Sequence, residues 1–300
     1  MLQRKRCSRQ ARREAVSAYL FILPLLLGLG VFNVYSFGVN IYYSFTNKSS
    51  FGIPNWVGLK NYIDLFQNEK FYSALSNTFK YVVICVPCVV ILSIFVAVLL
   101  NTNIRGRGVY RTLVFLPAVT MPAAIGLIWK WIFNYEFGIL NHLLSGFGIE
   151  KIAWLSDPEY VLLSVCVVVI WADVSTRVII LLAGLQNIPE VYYEAARIDG
   201  ANSAQIFFRI TLPQLSPSIF FVTVMEIIGI FQIFDFIFLM IPRSSSGVSH
   251  ARSLVSYFYE AAFQEYKKGY GAAITLVLFL IILVVTIFQM WMQKKWVHYE

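Results

Sequence analysis

Apolar and polar positions alternate along this chain on the scale of a lipid bilayer. Apolar runs occupy roughly 17–40, 77–100, 112–133, 160–184, 217–241 and 270–292, and polar connectors fill 41–76, 101–111, 134–159, 185–216 and 242–269. A hydrocarbon core of about 30 Å is crossed by about 20 helical residues. Inside it every backbone N–H must find its partner within the segment, which selects helices. The pattern therefore predicts an all-α, polytopic membrane protein with six transmembrane helices. It divides into a basic N-tail (1–16), the first span with its following loop (17–76), five further spans (77–292) and a C-tail (293–300).

Composition sharpens this reading. The chain is 58% hydrophobic and only 13% charged, with mean hydropathy +0.68, whereas soluble domains carry about 25% charged residues. The net charge of +8 is weighted toward "RKRCSRQARR", just before the first apolar run. That is the placement expected of a cytoplasmic flank against anionic headgroups, and nucleic acid is not an expected partner. The first run, Ala18 to about Phe45, exceeds the 7–15 residues of a signal-peptide core and reads as a true span. The N-tail, the 101–111 and 185–216 connectors and the C-tail hold thirteen Lys and Arg, and the other three connectors hold eight. Positive-inside bias then places both termini and the 185–216 segment in the cytoplasm.

Little suggests catalysis. "CVPC" at Cys85–Cys88 has redox spacing but lies inside an apolar run, where cysteine acts as a small hydrophobe. His142, His250 and His298 are too scattered for a metal site. No G-x-x-x-x-G-K-[ST] loop is present to cradle phosphates, and "RGRG" at Arg105–Gly108 reads as a cytoplasmic elbow. The connectors "NKSSFGIPNWVGLKNYIDLF" and "NYEFGILNHLLSGFGIEKIAWLSDPEY" mix aromatic, Gly, Pro and Asn residues as interfacial amphipathic helices do.

One connector differs from the rest. In the 189–213 segment, Pro189 suits a first helical position and Glu190 a helix N-terminus. Good helix formers continue to Asp199 for about three turns, or about 16 Å. Gly200 is placed to stop this helix as a C′ residue, Asn202 or Ser203 to cap a second one through Ile210, and Pro213 to end it. Ala195 and Ala196 keep one side small enough for another backbone to approach. The physical expectation is a hard-edged helix–turn–helix projecting from the membrane.

"EAARIDGANSAQIFFRITLP" resembles the EAA motif of ABC-importer permeases, E-A-A, three residues, G, nine residues, I-x-L-P. Glu194, Ala195, Ala196, Gly200, Ile210, Leu212 and Pro213 fill its fixed positions. "WVGLKNY", "RGRGVYRTLVFLP", "FGILNHLL" and "LLAGLQNIP" extend the resemblance to carbohydrate permeases of the di- and oligosaccharide branch, similar to a maltose-type permease subunit. After the fifth span, "MIPRSSSGVSHARS" stands where that branch commonly has a T-x-G-G-P-type turn.

The resemblance implies a type I ABC importer permease fold with the segment containing Glu194, Asp199 and Gly200 as its ATPase-coupling helix. It also implies a second permease, two ATPase subunits, an extracellular solute-binding protein and a sugar substrate. ATP and Mg would be held by the ATPases and no cofactor by this chain.

Charged groups within spans are costly and commonly face a cavity or a partner. Trp171, Asp173, Thr176 and Arg177 in the fourth span, and Glu226, Phe231, Gln232 and Asp235 in the fifth, are candidates to line the pathway. Trp171, Phe231 and Phe234 with Glu226, Gln232 and Asp235 supply the aromatic faces and planar polar groups that bind sugars. Asp173 and Arg177, four residues apart, share a helix face and can equally pair with each other. Two other transport readings remain: a permease for a charged solute with Arg177 as anion partner, and a proton-coupled secondary transporter using Asp173, Glu226 or Asp235. An intramembrane enzyme lacks a nucleophile–base or metal constellation at suitable spacing.

Overall fold

The computed structural model describes residues 9–102 and 105–297. Arg4, Lys5 and Arg6 of the predicted N-tail, and His298 with the last two positions of the C-tail, lie outside the described residues. Those described are almost entirely helical, and an isolated bridge between Thr46 and Trp56 is the one β-type pairing among them. Four helices are long and apolar enough to cross a membrane, and two bent helix pairs raise the number to six.

The first span, α1, runs over Arg13–Ser44, with a π-helical turn at Gly30–Tyr35. After the short α2 (Lys60–Phe66), the second span α3 covers Glu69–Asn101. Asn68 caps it by accepting from the Lys70 backbone N–H, as expected of Asn at this position. The fourth span, α7, is Val161–Gln186, and α6 (Ile139–Gly146) lies in the connector before it. The sixth, α14, is Lys268–Trp296.

The third span is not the continuous 112–133 helix that hydropathy predicts. It is α4 (Arg107–Val119) followed by α5 (Pro122–Ile132) at a bend of 100°. Pro122 sits in the first turn of α5, and Met121 before it is extended at φ −61°, ψ 133°. The proline ring disfavours helical geometry at the preceding residue while suiting the start of a new helix.

The fifth span is interrupted as well. The continuous 217–241 helix expected from the sequence is α10 (Ser216–Phe231), a break at Gln232–Phe234, and α11 (Asp235–Met240). The backbone freed by this break is rebonded: Ser253 Oγ donates to Ile233 O at 2.6 Å. The donor arrives with α12 (Val248–Ala251) and α13 (Leu254–Tyr259), a cap pinned to α3. Tyr81 Oη donates to Ala251 O at 3.0 Å, and Leu254 N donates to Thr78 Oγ1 at 3.0 Å.

The core forms where α3, α7 and α10 meet. Tyr81, Cys85, Val165, Cys166, Val169 and Ile230 are buried together there, so the two thiols from different spans are packing groups. A second cluster, with Ala97, Leu181, Leu185, Leu215 and Val222, locks the ends of these spans nearest the 189–213 segment. In its midst, a Cβ placed on Gly184 would lie 2.4 Å from Ser218 Oγ and 2.9 Å from a Leu215 methyl. α7 at Gly184 therefore packs directly under the Ser218 and Leu215 side chains, with no room for a side chain of its own. The first span stands apart: its most apolar stretch buries nothing within the chain, and it meets α14 through Asn40 Nδ2 donating to Thr275 Oγ1 at 3.0 Å and Phe37 against Phe279.

Gly184→Val is expected to force α7 and α10 apart at a cost of about 1–3 kcal/mol, the usual range for overpacking. Thermal unfolding of the detergent-purified protein should show a clearly lowered midpoint, and an unchanged midpoint would contradict the close approach.

Candidate functional site

The two helix breaks face each other. Between them lies a cleft of about 360 Å³, lined by Pro117, Thr120 and Pro122 at the α4–α5 bend, by Asp173, Thr176 and Arg177 of α7, and by Gln232, Phe234 and Asp235 at the α10–α11 break. Non-helical backbone at membrane depth is tolerated where it lines a cavity, and broken helices commonly build transporter binding sites. The cleft offers carboxylates, a hydroxyl, an amide and an aromatic ring, a set able to hydrogen-bond and stack against a polyhydroxylated solute.

Six of the residues singled out from sequence, Asp173, Thr176, Arg177, Gln232, Phe234 and Asp235, come together in this lining. Three others do not. Trp171 is half exposed on α7 and packs edge-on against Trp129, with ring centroids 5.7 Å apart. Phe231 is a core residue, 1% exposed and edge-on to Phe79, because the helix ends there and turns its ring away from the cleft. Glu226 is fully buried and serves as a counterion, with Arg177 Nε donating to its Oε2 at 2.6 Å. The sequence pattern missed Pro117, Thr120 and Pro122, although two prolines five residues apart in an apolar run are a visible signal.

The Arg177–Glu226 pair corrects the i,i+4 pairing of Arg177 with Asp173. The guanidinium reaches across to the fifth span, where its charge meets a carboxylate with no solvent access. Asp173 is left on the cleft wall. Glu226 Oε1 has no hydrogen-bond partner among the described residues, and Asp173 lies near enough to act electrostatically on both members of the pair. The Arg177–Glu226 bond ties together the two spans that flank the 189–213 segment.

That segment folds largely as its sequence dictates. α8 spans Glu190–Ile198, and Gly200 takes φ +76°. Ala201 N donates to Ala196 O and Gly200 N to Arg197 O, which is a Schellman ending. Asn202 caps α9 (Ser203–Gln214) in a reciprocal box with Gln205. Pro213 does not end this helix, as the sequence reading expected. α9 runs on to Gln214 through a π-helical stretch at Phe207–Thr211, and the chain bends by 65° into α10. Proline is tolerated there because it falls in the first turn of a new α-helical piece.

The two alanines separate. Ala196 is buried against the protein, and Ala195 lies on the open side with Glu194, Asp199 and Gly200. Ile210, Leu212 and Pro213 are half-buried, and Leu212 packs on the cluster that locks the span ends. They anchor the segment, while its free face carries exposed Val191, Ile198 and Phe208. These three were not singled out from sequence, although apolar residues in a polar connector mark a surface awaiting a partner. Tyr193 Oη and Thr211 Oγ1, 3.4 Å apart, tie the two limbs.

Arg177→Ala is expected to cost about 3–5 kcal/mol by stranding a buried carboxylate. Arg177→Leu with Glu226→Leu should recover most of that loss, as read by unfolding midpoints. Equal destabilisation in the single and double variants would contradict the pairing.

Comparison with known proteins agrees with this architecture. The chain is 37% identical over 297 residues to the probable ABC transporter permease protein YesP of Bacillus subtilis, covering 98% of this chain and 95% of that one. It is 34% identical to the arabinooligosaccharides transport system permease protein AraP of Halalkalibacterium halodurans, covering 93% and 88%. Its fold matches a chain of a bacterial ABC transporter that imports the acidic polysaccharide alginate, with a TM-score of 0.86, 23% identity and coverage of 96% and 98%. Residues 62–298 match the family described as binding-protein-dependent transport system inner membrane component, and the chain belongs to that family.

Proposed function

We propose that this chain is the permease subunit of an ATP-driven sugar importer and forms one wall of its translocation pathway. The observation that carries the reading is the convergence of both helix breaks on one polar cleft, in a span that continues directly into the EAA segment. A solute held at Asp173, Thr176, Gln232 and Asp235 is thus mechanically connected to the exposed face of α8. One chain supplies only one side of such a path, so a second permease would close it. Two cytoplasmic ATPase subunits would receive α8 and its counterpart, and an extracellular binding protein would deliver the solute. ATP and Mg would be bound by the ATPases. Both termini and the EAA segment would face the cytoplasm, consistent with the distribution of Lys and Arg.

Saccharide cargo is supported by the chemistry of the lining and by the names of relatives such as AraP. Commitment of Arg177 to Glu226 withdraws it as a free anion partner, which weighs against a cleft built around a charged solute. Coupling then follows from a two-state equilibrium. ATP-driven closure of the ATPases favours one position of α8, and α7 and α10 follow as a unit because Gly184 packing and the Arg177–Glu226 bond hold them together.

Proteoliposomes containing the whole importer separate the links. Asp235→Ala with Gln232→Ala should lower ATP-dependent sugar uptake at least about tenfold, the worth of about 1.4 kcal/mol of lost contacts, with subunit assembly intact. Gly200→Val places a β-branched residue at positive φ and should abolish ATPase assembly or uptake. Wild-type uptake in both variants would overturn the reading, and uptake driven by a proton gradient without ATP would support a secondary transporter instead.

A further inference from the structure

On the membrane face opposite the EAA segment, the chain builds a second cavity, of about 510 Å³. Its walls come from the connector after α1, from α2, from Asn68 and Lys70 at the start of α3, from Tyr257 of α13, and from Glu265, Lys267 and Tyr270 leading into and opening α14. The spans that frame it are the first, second and sixth. The central cleft is built by the third, fourth and fifth. A ligand here would therefore sit off the translocation path.

The cavity is cationic. Lys48, Lys60, Lys70 and Lys267 line it with two carboxylates, Asp64 and Glu265. Glu265 is already paired with Lys267 at 2.8 Å. Lys48 Nζ donates to Gly52 O at 3.0 Å and so shapes its own loop. Among the described residues, Lys60 and Lys70 have no ion-pair partner. The walls are tightly built: Gly269 N donates to Lys48 O at 2.8 Å, and a Cβ on Gly269 would fall 2.1 Å from Thr46 O. Asn61 Nδ2 donates to both Ser44 O and Thr46 O from a buried position.

The rim shows what this cavity meets. Phe51, Ile53 and Trp56 project from the same connector and are 87%, 89% and 64% exposed. Apolar and aromatic side chains grouped at the end of a span sit at the membrane–water interface. A cationic cavity directly beside them lies at headgroup depth. A globular partner arriving from water would first have to displace that rim from the lipid.

We propose that this cavity is a headgroup site for an anionic phospholipid, with Lys60 and Lys70 taking the phosphodiester oxygens. The acyl chains lie along the exposed Ile41 and Tyr42 of α1. Bound there, the lipid fastens the loosely packed first span to the start of the sixth. This inference goes beyond the transport reading and does not depend on which solute is carried.

The importer, purified in detergent and exposed to phosphatidylglycerol or phosphatidylcholine vesicles, can be read by native mass spectrometry. Wild type should retain phosphatidylglycerol at least about tenfold over phosphatidylcholine, a difference of about 1.4 kcal/mol. Lys60→Gln with Lys70→Gln should reduce that preference to near unity, and Lys60→Arg with Lys70→Arg should keep it. Should the neutral variant fail to assemble, acetylation of wild-type lysines gives the same answer: phosphatidylglycerol should shield Lys60 and Lys70, and phosphatidylcholine should not. Equal lipid retention in wild type and the glutamine variant would overturn the proposal. So would equal shielding by inorganic phosphate, which would mark a soluble-anion site, or cross-linking of Lys60 to the binding protein, which would mark a protein-docking surface.

Discussion

A hydrocarbon slab offers no water to backbone amides, so a spanning helix can be interrupted only where the protein itself repairs the interruption. This chain interrupts two spans and turns both breaks toward each other. At the third span the sequence supplies a proline that breaks the helix and starts the next one. At the fifth, Ser253 reaches in from the α12–α13 cap to hold Ile233 O, and that cap is held by Tyr81 and Thr78 of the second span. The polar cleft therefore depends on side chains of two other segments, the α12–α13 cap and the second span, that satisfy a few backbone groups. The remaining fold is a rigid frame for that arrangement.

The frame also explains how distant parts are joined. The fourth and fifth spans touch at Gly184 and Ser218 near one end, share the apolar cluster around Leu181 and Leu215, and are bonded by Arg177 and Glu226 at mid-depth. Three contacts of different chemistry along one interface leave little freedom for the spans to move separately. The α8 surface hangs from these two spans through Leu212 and the bend at Leu215. Exposed Ile198 and Phe208 are thus joined to the cleft through covalent chain, close packing and one ion pair.

Much of this was legible in the sequence, and the remainder was hidden for identifiable reasons. Membrane-length runs reveal spans because hydropathy is a local property. The EAA segment was readable because its helix stops and caps, Gly200 and Asn202, act on their immediate neighbours. Pro122 carried the third-span break in plain view, but an average over about 20 residues conceals a single proline. The partner of Arg177 lies 49 residues away, and no periodicity within one helix can select it over Asp173. Phe231 looked like a stacking platform because its exposure depends on where the fifth span ends, and the repair that ends it comes from Ser253 in another segment.

The central claim is that the cleft between the two breaks responds to nucleotide through the EAA segment. Spin labels at Ala118 and Phe236, which line opposite sides of the cleft, measure this directly in the assembled importer. The account predicts that their distance distribution shifts when ATP is bound without hydrolysis. A distribution indifferent to nucleotide, in an importer that still transports, would contradict it.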